Sequence, residues 1–215
     1  MTPTWTFGLA ALAFVAACAG AEVNRAKYFG PETSGVLTPA SSIALSPDQL
    51  RRMAASGDGQ PLMLARIGGT DIVPLTARSR AASTVWSAPD GKRFYTENGM
   101  IVATAALGTD LVGTRAPTTP PQDRVGQSYV RSYEHNTPSQ IIVTSYDCAM
   151  QRGGDEDLTI LDVSYATTRL VESCEGPEGA TFQNAYWVDQ AGSLRQSRQW
   201  VSREMGTVEM LRLIQ

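Results

Sequence analysis

The sequence offers little for catalysis. It has a single histidine, His135, and no serine stands in a G-x-S-x-G pattern. A hydrolase built on a nucleophile and a base would depend on that one imidazole, and a lone histidine beside a turn is more often a surface residue. The acidic stretch GGDEDLT (153–159) lacks the alternating ligand spacing of an EF-hand loop, so we interpret it as a solvated hairpin turn. We therefore predict a protein that is not an enzyme, with no catalytic residue, no metal site and no cofactor.

Basic residues are also few. Lys and Arg together number 18 against 21 Asp and Glu, which gives a formal net charge of −3. Such mild acidity gives no reason to expect a nucleic-acid partner or a purely electrostatic attachment to anionic lipid. Membrane attachment would have to come from acyl chains.

Long apolar runs are absent apart from WTFGLAALAFVAACAGAE, residues 5–22. The thirteen uncharged residues from Trp5 to Ala17 fall short of the roughly 20 that a helix needs to cross a bilayer, but they have the size of a signal-peptide core. The alternative is a buried N-terminal helix with an ordinary core cysteine. We predict a lipoprotein signal peptide at 1–17.

The tetrapeptide VAAC that ends this run resembles a bacterial lipobox. The resemblance implies that Cys18 receives a diacylglyceryl thioether, that residues 1–17 are removed and that the new amino terminus is acylated. Several acyl chains give stable anchoring, whereas one holds only marginally. Because Ala19 stands where an Asp would resemble an inner-membrane retention signal, we expect lipid anchoring at the periplasmic face of the outer membrane.

Cysteine is scarce, with three in the chain. If Cys18 is lipidated, Cys148 and Cys174 remain as an even pair in an oxidising compartment, which predicts a disulfide. Two unpaired core thiols or a metal pair are the alternatives, although His135 alone would not complete a zinc site.

Helix signals are confined to SPDQLRRMAASG (46–57), where Ser46 is the expected N-cap and Gly57 the stop. The mixed, small-residue segment before it predicts that the lipidated cysteine and a flexible tether occupy 18–41. Residues 42–215 are then a single β-rich periplasmic domain. The prolines of TRAPTTPPQDR (114–124) prevent a strand there, and we interpret the segment as a long surface loop within one sheet system.

Strand patterns fill the rest. Residues 62–107 predict a meander of five short strands, each paired with the next, with turns at GGT, PDG and NG. Pro74 indicates that the second strand lies at an edge or is bulged. In the later strands, side chains alternate between two faces, and each face mixes apolar and polar residues. One such face carries Phe182, Asn184, Tyr186 and Val188.

Mixed faces suit a curved sheet with room for solvent or ligand on its concave side. The expected fold class is all-β: a mostly antiparallel meander forming a partly open barrel or a two-sheet sandwich, with one short N-terminal helix. The last hairpin supplies a candidate surface for glycan or a partner protein, because its aromatic and polar side chains suit stacking on sugar rings and hydrogen bonding to hydroxyls. Core packing is the alternative. The residues are Tyr186, Trp187, Asp189, Arg198, Gln199 and Trp200.

Two stretches carry a family resemblance: YWVDQAGSLRQSRQWVSREMGTVEMLRL (186–213) and YTENGMIVATAALGTDLVG (95–113). Together with the lipobox they resemble the YjbF/GfcB family of outer-membrane lipoproteins associated with exopolysaccharide and group 4 capsule production. The resemblance implies an all-β periplasmic lipoprotein that acts in secretion or assembly of a surface polysaccharide. It assigns a defined role to Cys18 alone.

The function expected from these features is a non-enzymatic accessory protein in exopolysaccharide or capsule secretion. Its partners would be the membrane, through the anchor, and either the polysaccharide or proteins of the export machinery. One alternative is a periplasmic lipid carrier whose half-open barrel holds acyl chains. Another is a polysaccharide-modifying enzyme, for which His135 is the best catalytic candidate.

Overall fold

The computed structural model describes residues 62–67, 71–80, 83–137 and 139–214, together with Asp48, Arg51, Arg52 and Ala55. Those four residues are helical, which agrees with the short helix predicted over 46–57. Its expected caps, the signal peptide, Cys18 and the tether lie outside the described residues, so the assignment of the lipid to Cys18 and the domain boundaries stay predictions. In the part of the chain that the structure describes, no helix is both long enough and apolar enough to cross a membrane.

In the residues that the structure describes, twelve antiparallel strands form one sheet. Their bounds are β1 Leu62–Ile67, β2 Asp71–Arg80, β3 Ser83–Ser87, β4 Arg93–Glu97, β5 Met100–Ala105, β6 Leu111–Arg115, β7 Ser128–Asn136, β8 Ile141–Ile160, β9 Val163–Glu175, β10 Thr181–Asp189, β11 Leu194–Ser202 and β12 Gly206–Ile214. The strand order is β5-β4-β3-β2-β1-β12-β11-β10-β9-β8-β7-β6. Two meanders therefore join where β1 pairs with β12, and the predicted five-strand meander is confirmed.

The sheet curls into a half-barrel, so the single curved sheet, and not the sandwich, is the observed form of the predicted all-β fold. The edge strands β5 and β6 are consecutive in the chain. Thr104 on β5 links them, because its hydroxyl accepts the Leu111 N–H at 2.9 Å and donates to Asp110 at 3.0 Å. The backbone N–H of Ile101 on β5 also reaches the side chain of Gln199 on β11, far away in the strand order.

Turn chemistry fixes the tight connection between β4 and β5. Asn98 and Gly99 have φ of 48° and 81°, the left-handed pair that a two-residue hairpin turn requires. A Cβ at Gly99 would also meet the Cδ2 methyl of Leu194, so that side chain would have to shift. The predicted Asn-Gly turn is thus confirmed.

Pro74 lies in a part of β2 that pairs with β1 alone. The β2–β3 ladder begins at Thr76, so Pro74 extends beyond the end of β3. A proline has no N–H to donate and is tolerated where one side of the strand is open. The predicted edge character therefore holds locally, although β2 as a whole is an interior strand.

The interpretation of GGDEDLT as a hairpin turn is wrong. All seven residues belong to β8, and the chain reverses later, at Leu161 and Asp162, with φ of 48° and 68°. The two glycines instead mark a bulge, since the register with β9 shifts between Arg152 and Gly154. The acidic side chains lie along an extended, mostly exposed strand.

Aromatic rings from β7, β8, β10 and β11 pack against one another in an aromatic core. Phe182 stacks on Trp200 at 4.5 Å between ring centroids, and Tyr133 meets Trp200 edge-on at 5.0 Å. Tyr146 packs edge-on against Phe182 at 4.9 Å. Edge-to-face and stacked pairs stabilise a core beyond the area they bury.

Candidate functional site

A buried carboxylate, Glu172 on β9, organises the concave side of the sheet. Its oxygens accept hydrogen bonds from the Tyr129 hydroxyl at 2.6 Å, Asn184 Nδ2 at 2.6 Å and the Tyr186 hydroxyl at 3.0 Å. Arg131 Nη1 donates at 3.1 Å, and the side chains of Arg131 and Glu172 are 1% and 0% exposed. Four donors from β7 and β10 thus neutralise and satisfy one interior charge.

The pKa values of this network follow from burial and charge. Burial, the largest effect, raises the pKa of Glu172, but the charge of Arg131 and the hydrogen bonds from Asn184, Tyr129 and Tyr186 outweigh it, so the pKa is lowered. Burial and the nearby Glu172 charge raise the pKa of Tyr129 and Tyr186. Both tyrosines therefore keep their protons and act as donors.

The same network reaches the edge strand β5. Gln199 Oε1 accepts the Ile101 N–H at 2.8 Å, and Gln199 Nε2 donates to the Gly99 carbonyl at 2.9 Å. Arg131 Nη2 donates to the Ile101 carbonyl at 3.4 Å. Side chains from β7 and β11 thereby satisfy backbone groups of β5 and of the turn before it, and hold the half-barrel curled.

Next to this network lies a cavity of about 330 Å³. Its walls come from β1, β3 and β4 on one side, from β11 and β12 on the other, and from Pro120, Pro121 and Gln122. The volume is at the low end of the range typical of small-molecule sites. The cavity is therefore a candidate for a ligand site among the described residues.

Polar groups surround an indole in this cavity. Trp86 lines it and donates from Nε1 to Thr96 Oγ1 at 3.1 Å. Gln196 is 5% exposed, and its Oε1 has no hydrogen-bond partner in the described part of the chain. The other polar lining residues are Thr84, Asn98, Gln122, Ser193 and Ser197. This mixture suits a hydroxyl-rich ligand better than an acyl chain.

Two arginines also line the cavity. Arg195 Nε contacts Asp189 Oδ2 at 2.6 Å, and its guanidinium lies 4.2 Å from the Tyr165 ring centroid. Arg212 Nε is buried and has no hydrogen-bond partner among the residues that the structure describes. Burial first, and then the charge of Arg195, lower the pKa of Arg212.

The proline-rich segment is tied to the core by a buried arginine. Arg124 is 0% exposed; its Nε donates to the Thr119 carbonyl at 2.8 Å and its guanidinium lies 5.4 Å from the Tyr129 ring centroid. Asn98 Nδ2 donates to the Thr118 carbonyl on the same segment. These contacts hold the loop that forms one wall of the cavity.

The six residues of the sequence-predicted surface do not lie on one face. Tyr186 and Gln199 belong to the interior network, and Trp187 is 6% exposed with Nε1 donating to Glu156 at 2.9 Å. Asp189 pairs with Arg195, Arg198 pairs with Glu209 at 2.9 Å, and Trp200 packs in the aromatic core. Their role toward glycan or a partner stays a prediction.

The sequence pattern missed the residues that line the cavity. Trp86 sits in the short strand STVWS, which carries no sign of a site. Gln196 lies among mixed polar and apolar residues of β11, and that polarity is its available signal in the sequence. His135 is not among the described lining residues, and its Nε2 lies 2.9 Å from the Val201 carbonyl oxygen.

Cys148 and Cys174 form a disulfide, as predicted. They are direct partners in the β8–β9 ladder. Their sulfurs and a Glu172 oxygen lie within 4.8 Å of one another, but the sulfurs are bonded to each other. The bridge therefore pins the strand that carries Glu172.

A family model described as group 4 capsule polysaccharide lipoprotein gfcB, YjbF, matches residues 22–213. The chain belongs to this family. Membership in the YjbF family makes the protein a capsule polysaccharide lipoprotein. Such a protein is associated with a membrane through a lipid anchor. This agrees with the resemblance carried by residues 95–113 and 186–213.

Among solved structures, the YjbF-family chain is similar to the hypothetical lipoprotein YmcC from Escherichia coli (K12), at 18% identity and a TM-score of 0.66. The match covers 80% of this chain and 98% of that one, and it supports the fold. A putative lipoprotein from Parabacteroides distasonis matches at 7% identity and a TM-score of 0.39, over 72% of this chain and 93% of the other. A search of curated proteins gives no match.

Proposed function

We propose that this YjbF-family protein is a lipid-anchored accessory factor in exopolysaccharide or capsule secretion, acting at the periplasmic face of the outer membrane. It binds a segment of the glycan in the cavity beside Trp86 and leaves the polymer chemically unchanged. The observation that carries the proposal is the cavity itself, because it combines an indole with many hydrogen-bonding side chains in a member of a capsule polysaccharide family.

Binding without catalysis is supported by the contents of the cavity. No histidine, cysteine, Asp or Glu is among its described lining residues, so a general acid or base of these types would have to come from elsewhere, and the hydroxyls of Ser193 and Ser197 have no such base beside them in the described lining. The polar lining also gives no support to the alternative of an acyl-chain carrier, because a lipid chain would leave those groups without partners.

Deletion of the gene tests the proposal. Cell-attached and released polysaccharide are quantified separately under conditions where the wild-type strain produces polymer. We expect the amount of polymer at the surface or in the medium to change, and a plasmid copy of the gene to restore it. Wild-type amounts in both fractions of the deletion strain would refute the proposal.

A further inference from the structure

The cavity has a charge opposite to that of the whole chain. The protein carries a formal net charge of −3, yet the described lining of the cavity includes two arginines and no acidic residue. Asp189 offsets Arg195 from outside the described lining. The charge of Asp189 also acts on Arg212, yet one carboxylate between two guanidinium groups leaves one cation in excess in this polar, partly open space, and that cation attracts an anion.

Arg212 is the residue that supplies this cation. Its Cζ lies 5.9 Å from the centroid of the Trp86 ring, and its buried Nε has no partner within the described ranges. A buried guanidinium donor without a partner is unfavourable, and an oxyanion that accepts from it removes that cost. Guanidinium groups match carboxylate and phosphate oxygens in a two-point geometry.

Gln196 offers the complementary chemistry. Its Oε1 is a buried acceptor with no partner in the same cavity. A sugar hydroxyl would satisfy it, while a bare inorganic anion has no proton to donate at full ionisation. One ligand that carries both an oxyanion and hydroxyls would satisfy both orphaned groups.

We propose that the cavity recognises an anionic sugar unit, whose carboxylate or phosphate binds Arg212 and whose hydroxyl donates to Gln196 beside Trp86. This inference rests on the proposed glycan-binding function and specifies the class of glycan. A neutral sugar would leave Arg212 without its partner and bind more weakly.

Calorimetric titration of the detergent-purified full chain tests the inference. The probes are trigalacturonic acid, a neutral galactose trisaccharide and galactose 1-phosphate, and the variants are R212Q and R115Q. Arg115 is a suitable control because its side chain is 82% exposed at the edge strand β6 and lies outside the described lining. Both substitutions remove one positive charge.

We expect at least one anionic probe to bind roughly tenfold to a hundredfold more tightly than the neutral trisaccharide. Binding of trigalacturonic acid would identify the recognised group as a carboxylate, and binding of galactose 1-phosphate would identify it as a phosphate. R212Q should reduce that affinity to the neutral level, and R115Q should leave it unchanged.

Two results would overturn the inference. If the neutral trisaccharide binds as tightly as the anionic probes and R212Q has no effect, the cavity is a neutral-sugar site and the proposed function stands. If no probe binds while the gene deletion still alters polysaccharide, the ligand assignment is wrong and the export role persists. Failure of the deletion to alter polysaccharide would refute the proposed function itself.

Discussion

Arg131 and Glu172 form an ion pair across three strands of the sheet, with Nη1 and Oε2 3.1 Å apart and side chains that are 1% and 0% exposed. Glu172 also accepts from Tyr129, Asn184 and Tyr186, while Arg131 reaches the Ile101 carbonyl on the edge strand. The pair is thus the centre of the contacts that keep the half-barrel curled around its cavity.

Removing one charge of this pair should destabilise the fold strongly. We expect E172Q to lower the free energy of unfolding by about 3–5 kcal/mol, because Arg131 is left as a buried uncompensated charge. Urea titration followed by circular dichroism measures the change. The control is E134Q, which removes the partner of the exposed Arg115 and should cost about 1 kcal/mol or less. Equal losses in the two variants would contradict a special role for the buried pair.

The same carboxylate predicts the pH dependence of stability. The folded pKa of Glu172 is lowered from an ordinary value of 4.5. A lowered folded pKa gives stability that is fully present above the unfolded pKa and is lost as the pH falls through the folded pKa. The stability gap between the wild type and E172Q should therefore be constant near neutral pH and narrow below about pH 4.5. A gap that stays the same down to pH 3 would mean that Glu172 does not titrate with a lowered pKa.

The disulfide should contribute to stability through the unfolded state. Cys148 and Cys174 are separated by 26 positions, and closing a loop of that size corresponds to about 3–4 kcal/mol in the chain-entropy model. We expect the C148A/C174A variant to lose about that much. Intact mass with thiol alkylation, before and after reduction, checks the bond itself. Labelling of both cysteines in unreduced protein from the periplasm would exclude the bridge.

Gln199 should protect the edge strand β5. In Q199A the Ile101 N–H and the Gly99 carbonyl lose their partners, and leaving buried polar groups unsatisfied costs about 1–3 kcal/mol. Backbone amide exchange, measured by mass spectrometry, should therefore be faster in β5 of Q199A than in β5 of the wild type. Exchange in β9 should rise less. The control is Q183A, because the Gln183 side chain donates to the Ser173 hydroxyl in an exposed hydrogen bond. Unchanged exchange in β5 would show that Gln199 does not hold the edge.

Local sequence chemistry predicted the strands well because their turns and alternation are local properties. Asn98-Gly99 and the apolar alternation of β1 to β5 specify hairpins without knowledge of distant residues. The paired glycines 153–154 were misread because a glycine bulge and a glycine turn have the same local requirement, a left-handed or open backbone. Only the partner strand decides between them.

The cavity and the buried network were beyond sequence reasoning for a different reason. Glu172 meets Arg131 and Asn184 only once the register of β7, β9 and β10 is set, and twenty-one acidic residues offer many possible pairs. Arg124 looked like a loop charge, yet the fold buries it completely. Burial of a charge depends on neighbours that sequence separation does not reveal.

Filling the cavity is the most direct test of glycan binding in polysaccharide secretion. Q122W places an indole in the cavity wall, and D123W places the same indole on the exposed neighbouring residue of the same turn. Each variant is expressed in the deletion strain at the wild-type protein level, and cell-attached and released polysaccharide are quantified. We expect D123W to restore wild-type amounts and Q122W to fail. Full restoration by Q122W would contradict a role for the cavity.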